Sequence, residues 1–261
     1  MNAARDYLDR LAAGGRYHFT TEEACKALGG TAVAVRAALR RLKARGVIAD
    51  PYRGFHVIVP PEYRRLGCLP PEQFVPHLME RLGEAYYVAL LSAAQFHGAA
   101  HHRPQRFQVM VARNRKPLAC GEVRVEFIAR RDLDRTPVLN VNTPRGTLRV
   151  ASPEATALEL VGYADHCGGL DNVATVLGDL SERLAPEPLV AAARWCPVAW
   201  SQRLGYLLDL VGHEALSAPL AKFVSEKASF AAPLVRSRST KGASRADRWK
   251  LAVNASVEAD A

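Results

Sequence analysis

Several kinds of chemistry lack their raw materials in this 261-residue chain. Its five cysteines, Cys25, Cys68, Cys120, Cys167 and Cys196, are odd in number, stand tens of residues apart and form no Cys-x-x-Cys pair, so neither a zinc site nor a disulfide framework can be read from them. No run approaches the roughly 18 uninterrupted apolar residues of a membrane span, and the opening MNAARDYLDRL is charged and amphipathic, without the apolar centre of a signal peptide. These absences read as a cytoplasmic protein with no membrane partner. P-loop, Gly-x-Ser-x-Gly and Gly-x-Gly-x-x-Gly motifs are missing, as are internal repeats and low-complexity blocks.

What is present suits a packed globular protein: 49% hydrophobic residues with 23% charged. At about 100 to 200 residues per domain, the length fits two domains. The net charge of +9 is unevenly spread. Residues 1–66 hold twelve basic against six acidic side chains and residues 67–150 twelve against seven, whereas residues 151–235 hold five against ten. The last 26 residues are basic again, six against three. A basic front and an acidic back imply two surfaces with different partners.

The front reads as a winged helix-turn-helix. Tyr7, Leu8 and Leu11 fall at helical spacing before Gly14-Gly15 ends the helix. A second helix starts at Thr20 or Thr21, where a hydroxyl and two glutamates suit a helix N-terminus, and stops at Gly29-Gly30. Thr31 then caps a third helix with Val35, Leu39 and Leu42 at i, i+4 and i+7. Arg36, Arg40 and Lys43 repeat that spacing about 100° further round, and Arg41 and Arg45 widen the basic face with no carboxylate between positions 36 and 45. Such a face favours a polyanion. Val47–Ala49, a turn through Asp50, Pro51, Tyr52, Arg53 and Gly54, and Phe55–Val59 then make strand, tip and strand. The ordered set points to DNA binding, with Thr20, Thr31, Arg36, Arg40, Arg41, Lys43, Tyr52 and Arg53 as the candidate contacts. Small residues Ala32, Ala34 and Ala37 allow close approach to a groove.

A boundary is placed near residue 67, after a proline-bracketed linker with a short helical piece at 62–69. The expected domains are 1–66 and 67–261, the latter α+β and including the tail 236–261. Within it a helix is expected around Phe74, Leu78 and Leu82, strands at 107–111 and 123–128, and a hairpin about Asn142–Gly146. Helices follow from Ser152, which caps with Pro153 at the first helical position, and at 172–184, 188–195, 201–211 and 215–224. Trp249, Leu251 and Val253 mark a tail that docks as a strand, and Trp195 and Trp200 are expected in the core.

Enzyme-like constellations fail on inspection. His97, His101 and His102 have ligand-like spacing, but no nearby carboxylate or thiol completes a shell and Arg103 opposes a cation. Asp132 and Asp134 have the pairing of magnesium-binding carboxylates, yet Gly121-Glu122 stands where a triphosphate would need Gly-Gly or Gly-Ser. The expectation is no enzyme, no metal and no cofactor. Arg113, Arg115 and Lys116 are either a solvated loop or an extension of a nucleic-acid-facing surface.

The segments in order resemble the abortive-infection antitoxins of the AbiEi type. The resemblance is carried by the winged helix at Thr20–Val59, YYVALLSAAQFHG at 86–98, TPRGTLRVASPEATALELVGY at 143–163, RLGYLLDLVG at 203–212 and RWKLAVN at 248–254. It implies a bacterial, type IV antitoxin of a phage-defence system that represses its own operon at operator DNA with inverted repeats. Its second domain would counteract a nucleotidyltransferase-like toxin without a stable complex. The family has no catalytic residues to carry over; for antitoxicity its segments single out Gln95, His97, Ser152 and Glu154. A stand-alone winged-helix regulator sensing a small ligand is the alternative, and a nucleotide-directed enzyme using Asp132 and Asp134 is a further rival.

Overall fold

A capping box starts the second helix: Thr20 Oγ1 accepts from the Glu23 amide at 3.1 Å while the Glu23 carboxylate accepts from the Thr20 amide at 2.7 Å. Two N–H groups otherwise without partners are satisfied reciprocally. The computed structural model describes residues 2–99 and 104–259, a mixed α+β chain that divides into two compact units. The first comprises Met1–Tyr87, Gln105–Leu133 and Asn140–Arg149, the second Val88–Pro104, Asp134–Leu139 and Val150–Ala261.

In the first unit, α1 (Asn2–Ala13), β1 (His18–Thr20), α2 (Thr21–Leu28), α3 (Ala32–Ala44), β2 (Ile48–Tyr52) and β3 (Phe55–Ile58) follow in order. The strands form an antiparallel sheet in the order β1-β3-β2, an arrangement compatible with a winged helix. The stripe read from the sequence is the packed one, since Val35, Leu39 and Leu42 join Leu8, Phe19, Ile48 and Ile58 in one core. Strand β1 was not expected, because three residues with one buried side chain, Phe19, show no alternation to read. The β2–β3 register shifts between Ala49 and Tyr52, where Pro51 has no N–H for the ladder.

The same unit continues through the segment read as a linker. A 3-10 turn at Pro61–Tyr63 is the expected helical piece, but Cys68, Leu69 and Phe74 beyond it are fully buried. The Glu122 amide donates to the Leu66 carbonyl at 2.8 Å. Gly121, at φ +55°, approaches so closely that a Cβ there would stand 2.2 Å from the Leu66 oxygen. Helix α4 (Val75–Leu82) ends at Gly83 in the left-handed conformation. Beyond β4 (Tyr86–Val88) and α5 (Leu90–Phe96), β5 (Phe107–Val111), β6 (Leu118–Cys120) and β7 (Val123–Ala129) follow. β7 runs parallel to β5 and antiparallel to β6. The expected hairpin is β8 (Val138–Thr143) and β9 (Gly146–Ala151), its turn closed by Thr143 Oγ1 donating to the Gly146 carbonyl at 2.8 Å.

In the second unit Val88 pairs in parallel with Val150, and α6 (Pro153–Gly162) is buried from Glu154 through Val161. A helix covered on every side needs no amphipathic pattern. Helices α7 (Leu170–Leu180), α8 (Pro186–Ala193) and α9 (Val198–Leu210) pack with it, α10 (Glu214–Lys227) packs on α8 and α9, and β10 (Ala232–Pro233), β11 (Ser244–Ala246) and β12 (Leu251–Val253) follow. The tail docks as a strand, with β12 between β10 and β11 and Trp249 buried beside it. Trp200 is buried as expected, but Trp195 is 51% exposed, its ring under the Arg135 guanidinium at 5.3 Å. α8 ends at Ala193 having buried Leu189, Ala192 and Ala193, so the following turn carries Trp195 off the packed face.

Candidate nucleic-acid interface

Helix α3 turns Val35, Leu39 and Leu42 inward, which leaves Arg36, Arg40 and Arg41 exposed by periodicity alone. The cations occupy two flanks. Arg36 and Arg40 stand one turn apart on one side, whereas Arg41 and Arg45 line a groove toward Ala3 and Ala4 of α1. Val33, 71% exposed, lies between the flanks in the first turn.

Lys43 is placed differently from the other candidates. Its Nζ donates to Asp50 Oδ2 at 2.9 Å, and Asp50 Oδ1 accepts from His56 Nδ1 at 2.7 Å. The far nitrogen of that ring meets Thr21 Oγ1 at 2.8 Å. Burial works against the Asp50 carboxylate, yet His56 and Lys43 together hold it below its ordinary range; Asp50 in turn holds the Lys43 ammonium above its own. One polar chain thus ties the end of α3 to β2, to β3 and to the start of α2.

The turn between β2 and β3 is pinned as well. Arg53 is exposed, and the Gly54 carbonyl accepts from Arg81 Nη1 at 2.8 Å and from the Thr21 amide at 3.2 Å. Tyr52, 39% exposed, hydrogen-bonds Arg115, whose Nε donates to Glu84 at 2.6 Å. Arg115 therefore sits beside that turn in an ion pair. Nothing in the sequence links Arg81 or Arg115 to a turn tens of residues upstream. Thr20 and Thr31 both spend their hydroxyls on caps, Thr31 Oγ1 accepting from the Ala34 amide at 3.2 Å.

The other four candidates lie in the second unit, and three of them gather at the start of α6. Ser152 Oγ accepts from the Ala155 amide at 3.2 Å and donates to Glu154 at 3.0 Å. His97 Nε2 meets the Ala151 carbonyl at 2.7 Å, and burial pushes its pKa down, which matches a neutral ring donating to that oxygen. Gln95 is exposed on α5 and is not drawn into this cluster. His101 and His102 lie outside the described residues, among which no three His, Cys, Asp or Glu converge. Asp132 and Asp134 are both exposed.

Residues 87–210 match the AbiEi antitoxin C-terminal domain. This part of the chain is an AbiEi-type antitoxin domain. The match supports an antitoxin of a toxin–antitoxin system as the coarse function. The AbiEi-type domain contains His97, Ser152 and Glu154, and hence the cluster at the start of α6. The crystal structure of the RV2827C protein from Mycobacterium tuberculosis is similar in fold, with a TM-score of 0.70, 22% identity, 96% of this chain covered and 91% of that one. The comparison with curated proteins gives no match. Among the described residues no helix is long and apolar enough to cross a membrane.

A contact that the sequence did not announce lies in the first unit, where the thiols of Cys68 and Cys120 hydrogen-bond each other as free cysteines. That bond and burial push the Cys68 thiol up, while the same bond holds Cys120 below its ordinary value. Their neighbours, Leu66 with Glu122 and Gly67 with Gly121, are the backbone contacts described above.

Proposed function

We propose that the chain is a non-enzymatic, type IV antitoxin that represses its own operon. The N-terminal winged helix binds operator DNA with inverted repeats, and the AbiEi-type domain counteracts a nucleotidyltransferase-like toxin encoded alongside, without a stable complex. The single observation behind the DNA part is the exposed face of α3, where Arg36, Arg40 and Arg41 surround small residues beside a wing tipped by Arg53. Cations on a helix that follows a capped turn suit phosphates flanking a major groove, and small side chains between them permit close approach. The antitoxin part is supported by the match over residues 87–210.

Within the candidate set this reading favours Arg36, Arg40, Arg41 and Arg53, whose side chains are exposed and hold no hydrogen bond or ion pair among the described residues. Lys43 and Tyr52 hold the wing against α3 and Arg115, and Thr20 and Thr31 shape the helix starts. One experiment separates the two activities: induce the neighbouring gene product with the full-length chain or with its Arg36→Glu/Arg40→Glu variant, and measure growth together with transcription from the operon promoter. Rescue by both proteins, with repression lost only in the variant, is the expected result. A neighbour that is harmless on induction, or repression unaffected by the double charge reversal, overturns the corresponding half.

A further inference from the structure

Arg203 on α9 is only 3% exposed, and its one hydrogen bond among the described residues runs from Nε to the Pro233 carbonyl at 3.0 Å. Among the described residues no carboxylate pairs with it. Burial, and after it the like charge of Arg236, push its pKa below the ordinary guanidinium value. A buried charge normally has its counter-ion beside it; here the charged neighbour is another cation. Arg203 forms part of the wall of a cavity of about 420 Å³ in the second unit, within the range of small-molecule sites. Arg236 and Arg238, from the segment after β10, line the same space. Asp165 and Asp171, from the turn before α7 and its first turn, line it too, and Leu234 adds apolar surface.

We propose that this cavity binds a small phosphorylated metabolite about the size of a nucleoside monophosphate, its phosphate on the arginines and its hydroxyl or amino groups on the aspartates. A planar guanidinium fork matches phosphate oxygens, and an anion there supplies the charge that Arg203 lacks. Aspartates on the wall favour a ligand that also donates hydrogen bonds, which inorganic phosphate at neutral pH does poorly. The surrounding stretch, residues 151–235, carries ten acidic against five basic side chains, which repels a polynucleotide but tolerates a small ligand held inside a pocket. The site requires nothing from DNA binding or from a toxin.

The test uses the full-length protein in thermal shift and isothermal titration calorimetry with AMP, GMP and ribose 5-phosphate, set against inorganic phosphate, citrate and adenosine. At least one phosphorylated probe is expected to raise Tm and to bind about tenfold or more tightly than any of the three controls. Arg203→Lys keeps the charge but loses the fork, and weakens that probe by a similar factor. Because Arg203 also holds Pro233, Arg236→Glu at an exposed position is the second variant: its carboxylate itself supplies the charge that Arg203 lacks, so it is expected to abolish the shift without lowering the ligand-free Tm. Silence of all probes overturns the proposal, as does equal binding of inorganic phosphate, citrate or adenosine, or a Kd indifferent to both substitutions.

Discussion

The indole of Trp249 stands where a side chain on Gly205 would be, so that a Cβ built on that glycine would lie 2.0 Å from the ring. One turn along α9, Asp209 accepts the indole N–H at 2.7 Å, and its carboxylate also takes Arg248 at 3.2 Å and the Ser217 hydroxyl at 2.5 Å. Two segments singled out in the sequence for family resemblance, RLGYLLDLVG and RWKLAVN, are thus the two halves of one joint.

Gly205→Ala therefore overpacks that joint. A loss of about 2–3 kcal/mol is expected, which for a chain of this size lowers Tm by roughly 5–10 °C. Thermal denaturation followed by circular dichroism checks it; an unchanged Tm would mean the indole retreats at no cost.

Gly178→Ala is the counter-case inside α7, where a Cβ meets nothing within 4 Å and the backbone is helical. Removing unfolded-state freedom at such a site stabilises by roughly 0.5–1 kcal/mol. A fall in Tm would contradict the open space that the structure shows there.

Salt dependence of DNA binding separates the α3 cations. Each phosphate contact contributes about −0.9 to the slope of log K against log salt, so Arg36→Ala/Arg40→Ala should flatten it by nearly two units. Lys43→Ala should change the slope less, because its ammonium already neutralises Asp50 at 2.9 Å. Equal effects for all three positions would mean that Lys43 leaves Asp50 for the DNA.

Thr20→Ala should cost about 1 kcal/mol of stability through loss of the capping box and leave the salt slope as it is. Chemical denaturation and fluorescence anisotropy read the two quantities separately. A lost slope unit with intact stability would make Thr20 a phosphate contact after all.

Acid stability should be set in part by His18. Its ring stacks on His77 with centroids 3.9 Å apart; burial first, then His77 and Arg16, push its pKa down to about 4 from 6.5. Between those values the unfolded chain holds a proton that the folded chain does not, so stability present above about pH 6.5 is lost as pH falls toward 4. His18→Phe keeps the stacked ring without titrating and should flatten the urea midpoint over that window. A variant as acid-sensitive as the parent would assign the effect elsewhere.

Most of the N-terminal helices and strands were legible because their signals are local. Thr20 and Thr31 before glutamates or small residues, the glycine stops, and apolar residues at i, i+4 and i+7 all act within one or two helical turns, where backbone hydrogen bonding sets the geometry. Strand β1 was too short to carry a pattern, and Trp195 was misplaced because the end of α8, rather than the residue's own hydrophobicity, decides which way the following turn faces. In the candidate interface, residue types and spacing identified Arg36 and Arg40 as an exposed pair. They did not show that Lys43 had been claimed by Asp50, an acidic residue seven positions on and across a glycine turn.

From residue order alone follow the capped helices, the buried stripe of α3, the basic front and acidic back, and a tail with an apolar end. These depend on charge content and on interactions between near neighbours. The pairing of Lys43 with Asp50, of Cys68 with Cys120, of Trp249 with Gly205, and the isolation of Arg203 beside Arg236 depend on where the chain returns upon itself. Packing creates or withholds those neighbours, and the charge of a side chain means something different once its partner, or the lack of one, is settled by residues tens of positions away.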